Sequence, residues 1–198
     1  MEKKISDPKA VIIGGSAGSL KVILEIVRNL DKDFLLPVII IIHRKNDPES
    51  ALIDVLSEAA VLPTKEAEDK EFILSGTIYL APAGYHLLIE QDYSFSLDSS
   101  EKVHFSRPSI DVSFQCAADA YGERLIAILL SGANEDGTKG FEEIKKNGGV
   151  LIAQEPLTAE APYMPAHAIR YVSVDYICSI VQIGPLIRDY CSSDNTHK

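Results

Sequence analysis

Gly14-Gly15-Ser16-Ala17-Gly18 sets a serine among small residues, directly after the apolar run Ala10 to Ile13 and before an amphipathic stretch. A tight strand-to-helix turn needs small flanking residues, and this is the setting of a G-x-S-x-G nucleophile elbow. The helix start that follows offers unpaired backbone N–H groups and positive partial charge, both suited to an oxyanion forming beside the serine. His43 stands directly after Val38 to Ile42. Asp136 lies in Ser131-Gly132-Ala133-Asn134-Glu135-Asp136-Gly137, directly after Leu125 to Leu130. A serine, an imidazole and a carboxylate, each closing a different apolar run, are the three groups that acyl transfer requires. The imidazole takes the hydroxyl proton, and the carboxylate fixes its tautomer and stabilises the imidazolium. The order Ser, His, Asp differs from the Ser, Asp/Glu, His order of α/β-hydrolases, but triads are defined by geometry and not by order.

Each residue also has a plainer reading. The glycine-rich turn is a candidate phosphate cradle, yet it lacks the Gly-Lys-Ser/Thr ending of a P-loop and the G-x-G-x-x-G spacing. It also reads as a purely structural turn. His43 reads as a polar cap on an apolar strand, and Asp136-Gly137 as an ordinary turn or N-cap beside Glu135. The coincidence of three such residues at three strand ends is what favours the catalytic reading, because ligand crevices in open α/β sheets lie outside the carboxyl ends of the strands.

The elements that must position these groups follow from patterning. Ala10 to Ile13, Val38 to Ile42, Leu125 to Leu130 and Val150 to Ala153 are continuous, largely β-branched runs, as expected of parallel strands buried on both faces. Between them, Leu20, Ile23, Leu24, Val27 and Leu30 recur at helical spacing, and Leu52, Val55 and Leu56 suggest a shorter helix. A third helix is expected from Ser109, as N-cap, to Gly122, and a fourth from near Gly137 to Gly148, with Lys145 and Lys146 in its last turn. A last helix is expected from Asp175, interrupted by Gly184-Pro185. The pattern predicts an α/β fold: a doubly wound, mostly parallel sheet with helices on both faces. An antiparallel β excursion is expected near residues 77–97, built from Ile78-Tyr79-Leu80, Leu87-Leu88-Ile89 and Phe95-Ser96-Leu97. One domain is expected over residues 9–190, with loose termini at 1–8 and 192–198.

Composition narrows the function classes. The 198 residues carry a formal charge of -10, which disfavours nucleic acid and anionic membrane surfaces as partners. Cys116, Cys178 and Cys191 are odd in number and widely spaced, suggesting neither a disulfide framework nor a zinc site. Reduced thiols and the charged start Met1-Glu2-Lys3-Lys4 predict a cytoplasmic protein without membrane insertion. Arg44 and Lys45, beside His43 in an acidic chain, are candidates for drawing in an acidic partner helix.

These motifs resemble the catalytic domain of the chemotaxis protein-glutamate methylesterases, the CheB type. The resemblance runs through Ile13-Gly14-Gly15-Ser16-Ala17-Gly18-Ser19, His43, Ile78-Tyr79-Leu80-Ala81-Pro82, Arg107-Pro108-Ser109-Ile110-Asp111-Val112, the Asp136 loop, Ile152-Ala153-Gln154 and Met164-Pro165-Ala166-His167-Ala168-Ile169. It implies hydrolysis of glutamate γ-methyl esters on the cytoplasmic helices of methylated chemoreceptors, extending to deamidation of receptor glutamines. It implies Ser16, His43 and Asp136 as the triad, an acyl-enzyme, and no metal or cofactor. Backbone N–H groups at Ala17 and Ala133 would form the oxyanion hole. Arg107 is expected either to line the substrate cleft or to pair with Asp111, and Met164 either to wall the cleft or to sit in the core. The chain begins nine residues before the first strand. It is therefore expected to lack the N-terminal phospho-receiver domain of many members, or to answer to a separate response regulator. The alternatives are a serine esterase or amidase of the same fold with another substrate, and a non-catalytic module binding an anion or a receptor.

Overall fold

The structure is a computed structural model that describes residues 9–44 and 51–192. Seven strands form one parallel sheet: β1 (Ala10–Gly15), β2 (Val38–Ile42), β3 (Thr64–Glu66), β4 (Ile78–Leu80), β7 (Leu125–Leu129), β8 (Val150–Gln154) and β9 (Tyr176–Cys178). Their order is β3-β4-β2-β1-β7-β8-β9. The chain winds outward from β1 in one direction, then returns to β7 on the other side. This leaves a topological switch point at β1 and β7, where such sheets open a crevice. Two short strands, β5 (His86–Ile89) and β6 (Phe95–Asp98), pair antiparallel as a separate sheet.

The continuous apolar runs are explained by burial on both faces. Val11 and Ile13 of β1 join one core cluster, while Ala10 and Ile12 join the other. The first cluster is covered by α1 (Leu20–Arg28), α2 (Leu52–Ala59) and α6 (Ile180–Ser192). The second is covered by α3 (Ile110–Tyr121), α4 (Thr138–Lys146), α5 (Tyr163–Tyr171) and the β5–β6 hairpin. Ser109 caps α3, its hydroxyl accepting from the Val112 N–H. Gly148, at φ 86, takes the left-handed conformation just beyond α4.

Three expectations are corrected. Ile78–Leu80 is not part of the antiparallel excursion: all three residues are buried, and they pair in parallel with β2 and β3. The last helix does not begin at Asp175, because Tyr176–Cys178 forms the edge strand β9. Nor does Pro185 interrupt that helix, since α6 runs through it. Packing outweighs the lost hydrogen bond there. Ile183, Ile187 and Tyr190 are buried, and an added Cβ at Gly184 would come within 2.9 Å of the Asn29 side chain, so α6 lies close against the end of α1. Residues 1–8, 45–50 and 193–198, which include Lys45 and most of the expected loose termini, lie outside the described residues. Among the described residues no helix is long and apolar enough to cross a membrane.

Candidate active site

The three strand ends expected to carry chemistry lie side by side. Beyond the strands the ladder continues: His43 N–H donates to Gly15 O at 3.1 Å, and Ser16 N–H donates to Ser131 O at 2.9 Å. Since Gly15 is in register with Ile42, Ser16 stands beside His43 on one flank and Ser131 on the other. The turn that follows is tightly built. Ser19 Oγ donates to Ser16 O at 2.7 Å, and Gly18 has φ +76. A Cβ on Gly18 would fall 2.5 Å from Glu160 Cβ and 2.9 Å from Ser131 Oγ. Ser131 fastens this turn to its surroundings. Its hydroxyl donates to Ala17 O at 2.7 Å and accepts from Ala161 N–H at 2.8 Å, and its own N–H reaches Gln154 Oε1 at 2.9 Å.

Asp136 is fully buried, and its carboxylate sits at the N-terminus of α3. One oxygen accepts from Ile110 N–H at 2.8 Å and meets His43 Nε2 at 2.7 Å. The other accepts from Asp111 N–H at 2.9 Å and Ser109 Oγ at 3.0 Å. Burial alone would raise this pKa. The hydrogen bond with His43, together with the Asp111 and Ile110 amides, outweighs burial and holds the carboxyl below its ordinary value. An ionised carboxylate can only accept, so the proton shared with His43 belongs to Nε2, and Nδ1 is left as the basic nitrogen. In the chymotrypsin-type arrangement it is Nδ1–H that faces the aspartate.

The imidazole–carboxylate pair is thus formed, but the hydroxyl–imidazole hydrogen bond is not. Neither the Ser16 hydroxyl nor His43 Nδ1 has a hydrogen-bond partner among the described residues. Catalytic hydrogen bonds of this kind commonly tighten only when substrate is bound.

A second carboxylate supports the first. Asp111, in the first turn of α3, accepts from Gly137 N–H and Gly140 N–H at the start of α4, each at 2.8 Å. Each aspartate therefore caps the helix that the other precedes or begins. The remaining Asp111 oxygen has no aligned hydrogen-bond donor and faces His104 Nε2 at 3.2 Å, while His104 Nδ1 lies 3.5 Å from Glu135. Burial, aided by the neighbouring Asp136 charge, raises the Asp111 pKa against the opposing pull of the two amides. Among the described residues, His104, Asp111 and Asp136 are the one group with atoms close enough to share a metal ion. Asp136 already has four donors, and one Asp111 oxygen has two amides while the other has only the His104 contact.

A family model for the CheB methylesterases matches residues 11–187. The chain belongs to the CheB methylesterase family. It is 44% identical over 178 residues to a Leptospira interrogans protein provisionally named protein-glutamate methylesterase/protein-glutamine glutaminase, covering 90% of this chain and 92% of that one. It is 34% identical over 178 residues to the Thermotoga maritima protein-glutamate methylesterase/protein-glutamine glutaminase, covering 88% of this chain and 52% of that longer protein. The crystal structure of the Thermotoga maritima CheB methylesterase catalytic domain matches with a TM-score of 0.88 at 32% identity, over 93% of this chain and 99% of that one.

Around this CheB-type site the other expected residues divide. Arg107 lines a cavity of about 800 Å³ that is also walled by His43. Its guanidinium donates to the Ser99 and Ser100 carbonyls and makes no ion pair with Asp111, whose partner is His104. Met164 does not wall the cleft. It is fully buried, its Sδ 2.5 Å from where a Cβ on Gly132 would stand, and its N–H donates to Gly132 O at 2.9 Å. It shapes the acidic loop from beneath. Ala17 and Ala133 are exposed at the site, and neither N–H has an acceptor among the described residues. Arg44, a candidate for drawing in an acidic partner helix, is held by Glu66 and the Ala81 carbonyl. The sequence reading missed Ser131 as a tether and Asp111 as a cap. The available signal for Asp111 was an acidic residue in the first turn after the Ser109 N-cap.

Proposed function

We propose that the chain is a serine hydrolase that demethylates glutamate γ-methyl esters on chemoreceptor cytoplasmic helices and deamidates receptor glutamines by the same route. The observation that carries this reading is the 2.7 Å contact between His43 Nε2 and the buried Asp136 carboxylate, beside Ser16 in the sheet register. The names of the family and of its relatives supply the substrate class.

In this mechanism Ser16 Oγ adds to the ester carbonyl carbon as its proton passes to His43 Nδ1. Asp136 stabilises the imidazolium. The Ala17 and Ala133 N–H groups receive the oxyanion. Collapse breaks the carbon–oxygen bond to the methoxy group, which leaves as methanol with the proton from Nδ1. Water then adds to the acyl-enzyme, with Nδ1 again taking a proton, and releases the glutamate carboxylate and Ser16. With glutamine the first leaving group is ammonia.

The test is mass spectrometry of a methylated, glutamine-bearing receptor cytoplasmic fragment before and after treatment. Wild-type protein should remove methyl groups and amides, and Ser16→Ala should be slower by at least about a hundredfold. Equal demethylation by folded Ser16→Ala would contradict the mechanism. Turnover of small esters with the fragment untouched would favour the same fold acting on another substrate.

A further inference from the structure

Residues 103–106 form a hairpin turn that the mechanism above does not use. Val103 and Ser106 exchange backbone hydrogen bonds, at 3.2 and 2.9 Å, across the two-residue tip His104-Phe105. Both tip residues have positive φ, 48 and 61. A two-residue turn with positive φ at both positions is ordinarily made by Asn-Gly, because left-handed backbone is unfavourable for residues carrying a Cβ. Here an imidazole and a phenyl ring hold it.

The two residues differ in what they receive from the protein. His104 is anchored: its imidazole lies between Asp111 and Glu135, and its carbonyl accepts from Asn134 Nδ2. Phe105 is not: it is 97% exposed. The strained turn is therefore fastened to the acidic loop on one side and holds an unburied phenyl ring in water on the other. The contacts of His104 account for the turn being held but not for the phenyl ring at its tip, and a strained residue kept exposed in this way is placed to meet something outside the molecule. Phe105 lies on the lip of the cavity that reaches His43, beside Tyr85 and Lys102.

The cavity's charge indicates what fits. Its lining includes Arg44, Lys102 and Arg107 and no carboxylate, in a chain with net charge -10. Arg44 and Arg107 are engaged by Glu66 and by backbone carbonyls, whereas Lys102 has no partner among the described residues. A helix whose demethylated sites are free glutamates would match an unpaired cation next to an apolar anchor.

We propose that the 102–105 segment recognises the protein substrate: Phe105 packs on an apolar side chain of the ester-bearing helix, and Lys102 pairs with a carboxylate on it. This rests on the methylesterase reading above. It adds a specificity determinant that acts on a helix and not on a small ester, whose acyl group reaches Ser16 without touching the lip.

The test measures kcat and KM for a methylated receptor fragment and for p-nitrophenyl acetate, with wild type, Phe105→Ala, Phe105→Gly and Lys102→Glu. Loss of an aromatic anchor at an interface should raise KM for the fragment about tenfold or more, with p-nitrophenyl acetate turnover within about twofold of wild type. Phe105→Gly, which relaxes the backbone, should lose as much as Phe105→Ala. The Lys102→Glu effect should shrink in high salt. Equal losses on both substrates would assign the turn to support of the Asp136 loop and overturn the proposal, as would unchanged KM for the fragment. Wild-type protein that hydrolyses p-nitrophenyl acetate but not the fragment would remove the methylesterase reading itself, a result separable from either.

Discussion

At the scale of single residues, the site is governed by two buried aspartates with opposite shifts. Asp136 has its pKa lowered by His43 and two helix amides in spite of burial, so it stabilises the fold above the ordinary carboxylate value, and that contribution is lost as pH falls through its lowered value. Asp111 is raised by burial, so its contribution is present at low pH and lost as pH rises through its raised value. Asp111→Asn keeps an oxygen for the Gly137 and Gly140 amides and removes a buried charge beside Asp136. Denaturant unfolding should show wild type losing ground to this variant as pH rises from about 4 toward neutrality. Asp111→Ala leaves two buried amides without an acceptor and should cost on the order of 2–4 kcal/mol at low pH, and less as pH rises. The proton on His43 is equally testable. Nitrogen-15 shifts of the neutral imidazole should report Nε2–H, and Asp136→Asn should release that tautomer and lower kcat by orders of magnitude, up to about 10⁴-fold. Nδ1–H in the neutral wild-type enzyme would contradict the proton assignment.

At the scale of elements, the geometry of the site depends on how three loops are fastened to one another. Gly18 joins the Ser16 turn to Ser131 and Glu160 at distances that leave no space for a Cβ, and its φ is positive. Gly18→Ala should therefore lower the thermal midpoint, by an amount matching about 1–3 kcal/mol, and depress kcat more than KM; an unchanged midpoint would remove this constraint. How much of this was legible follows from the same physics. β1, β2, β7 and β8 could be read because double-sided burial demands uninterrupted apolar residues, and Ser16, His43 and Asp136 could be read because each ends or follows such a run. The edge strands β3 and β9 could not, since three residues with one flank open leave no pattern. Pro185 misled because a helix held by Ile183 and Ile187 tolerates a break in its own bonding. The burial of Met164 depended on a contact with Gly132, distant in sequence, and the His104-Phe105 turn lacked the Asn-Gly that normally marks such a turn.

At the scale of the whole molecule, one parallel sheet with a core on each face brings the carboxyl ends of β1, β2 and β7 to a common edge, and the winding reversal beside β1 opens a crevice there. Residues separated by 93 positions thus meet at 2.7 Å. The cavity walled by His43, Arg44, Lys102 and Arg107 holds Lys102, unpaired among the described residues, in an acidic chain, so a protein substrate should bind more weakly as salt rises while a neutral small ester should not, which parallel KM measurements across ionic strength would read directly. The central claim is that this convergence makes Ser16 a nucleophile. Its most direct measurement is labelling with a fluorophosphonate, followed by intact-mass and peptide mapping of wild type, Ser16→Ala and His43→Ala. The account predicts one adduct on Ser16 in wild type, none in Ser16→Ala, and labelling at least about a hundredfold slower in folded His43→Ala. An adduct on another residue, or equally rapid labelling of Ser16 without the imidazole, would contradict it.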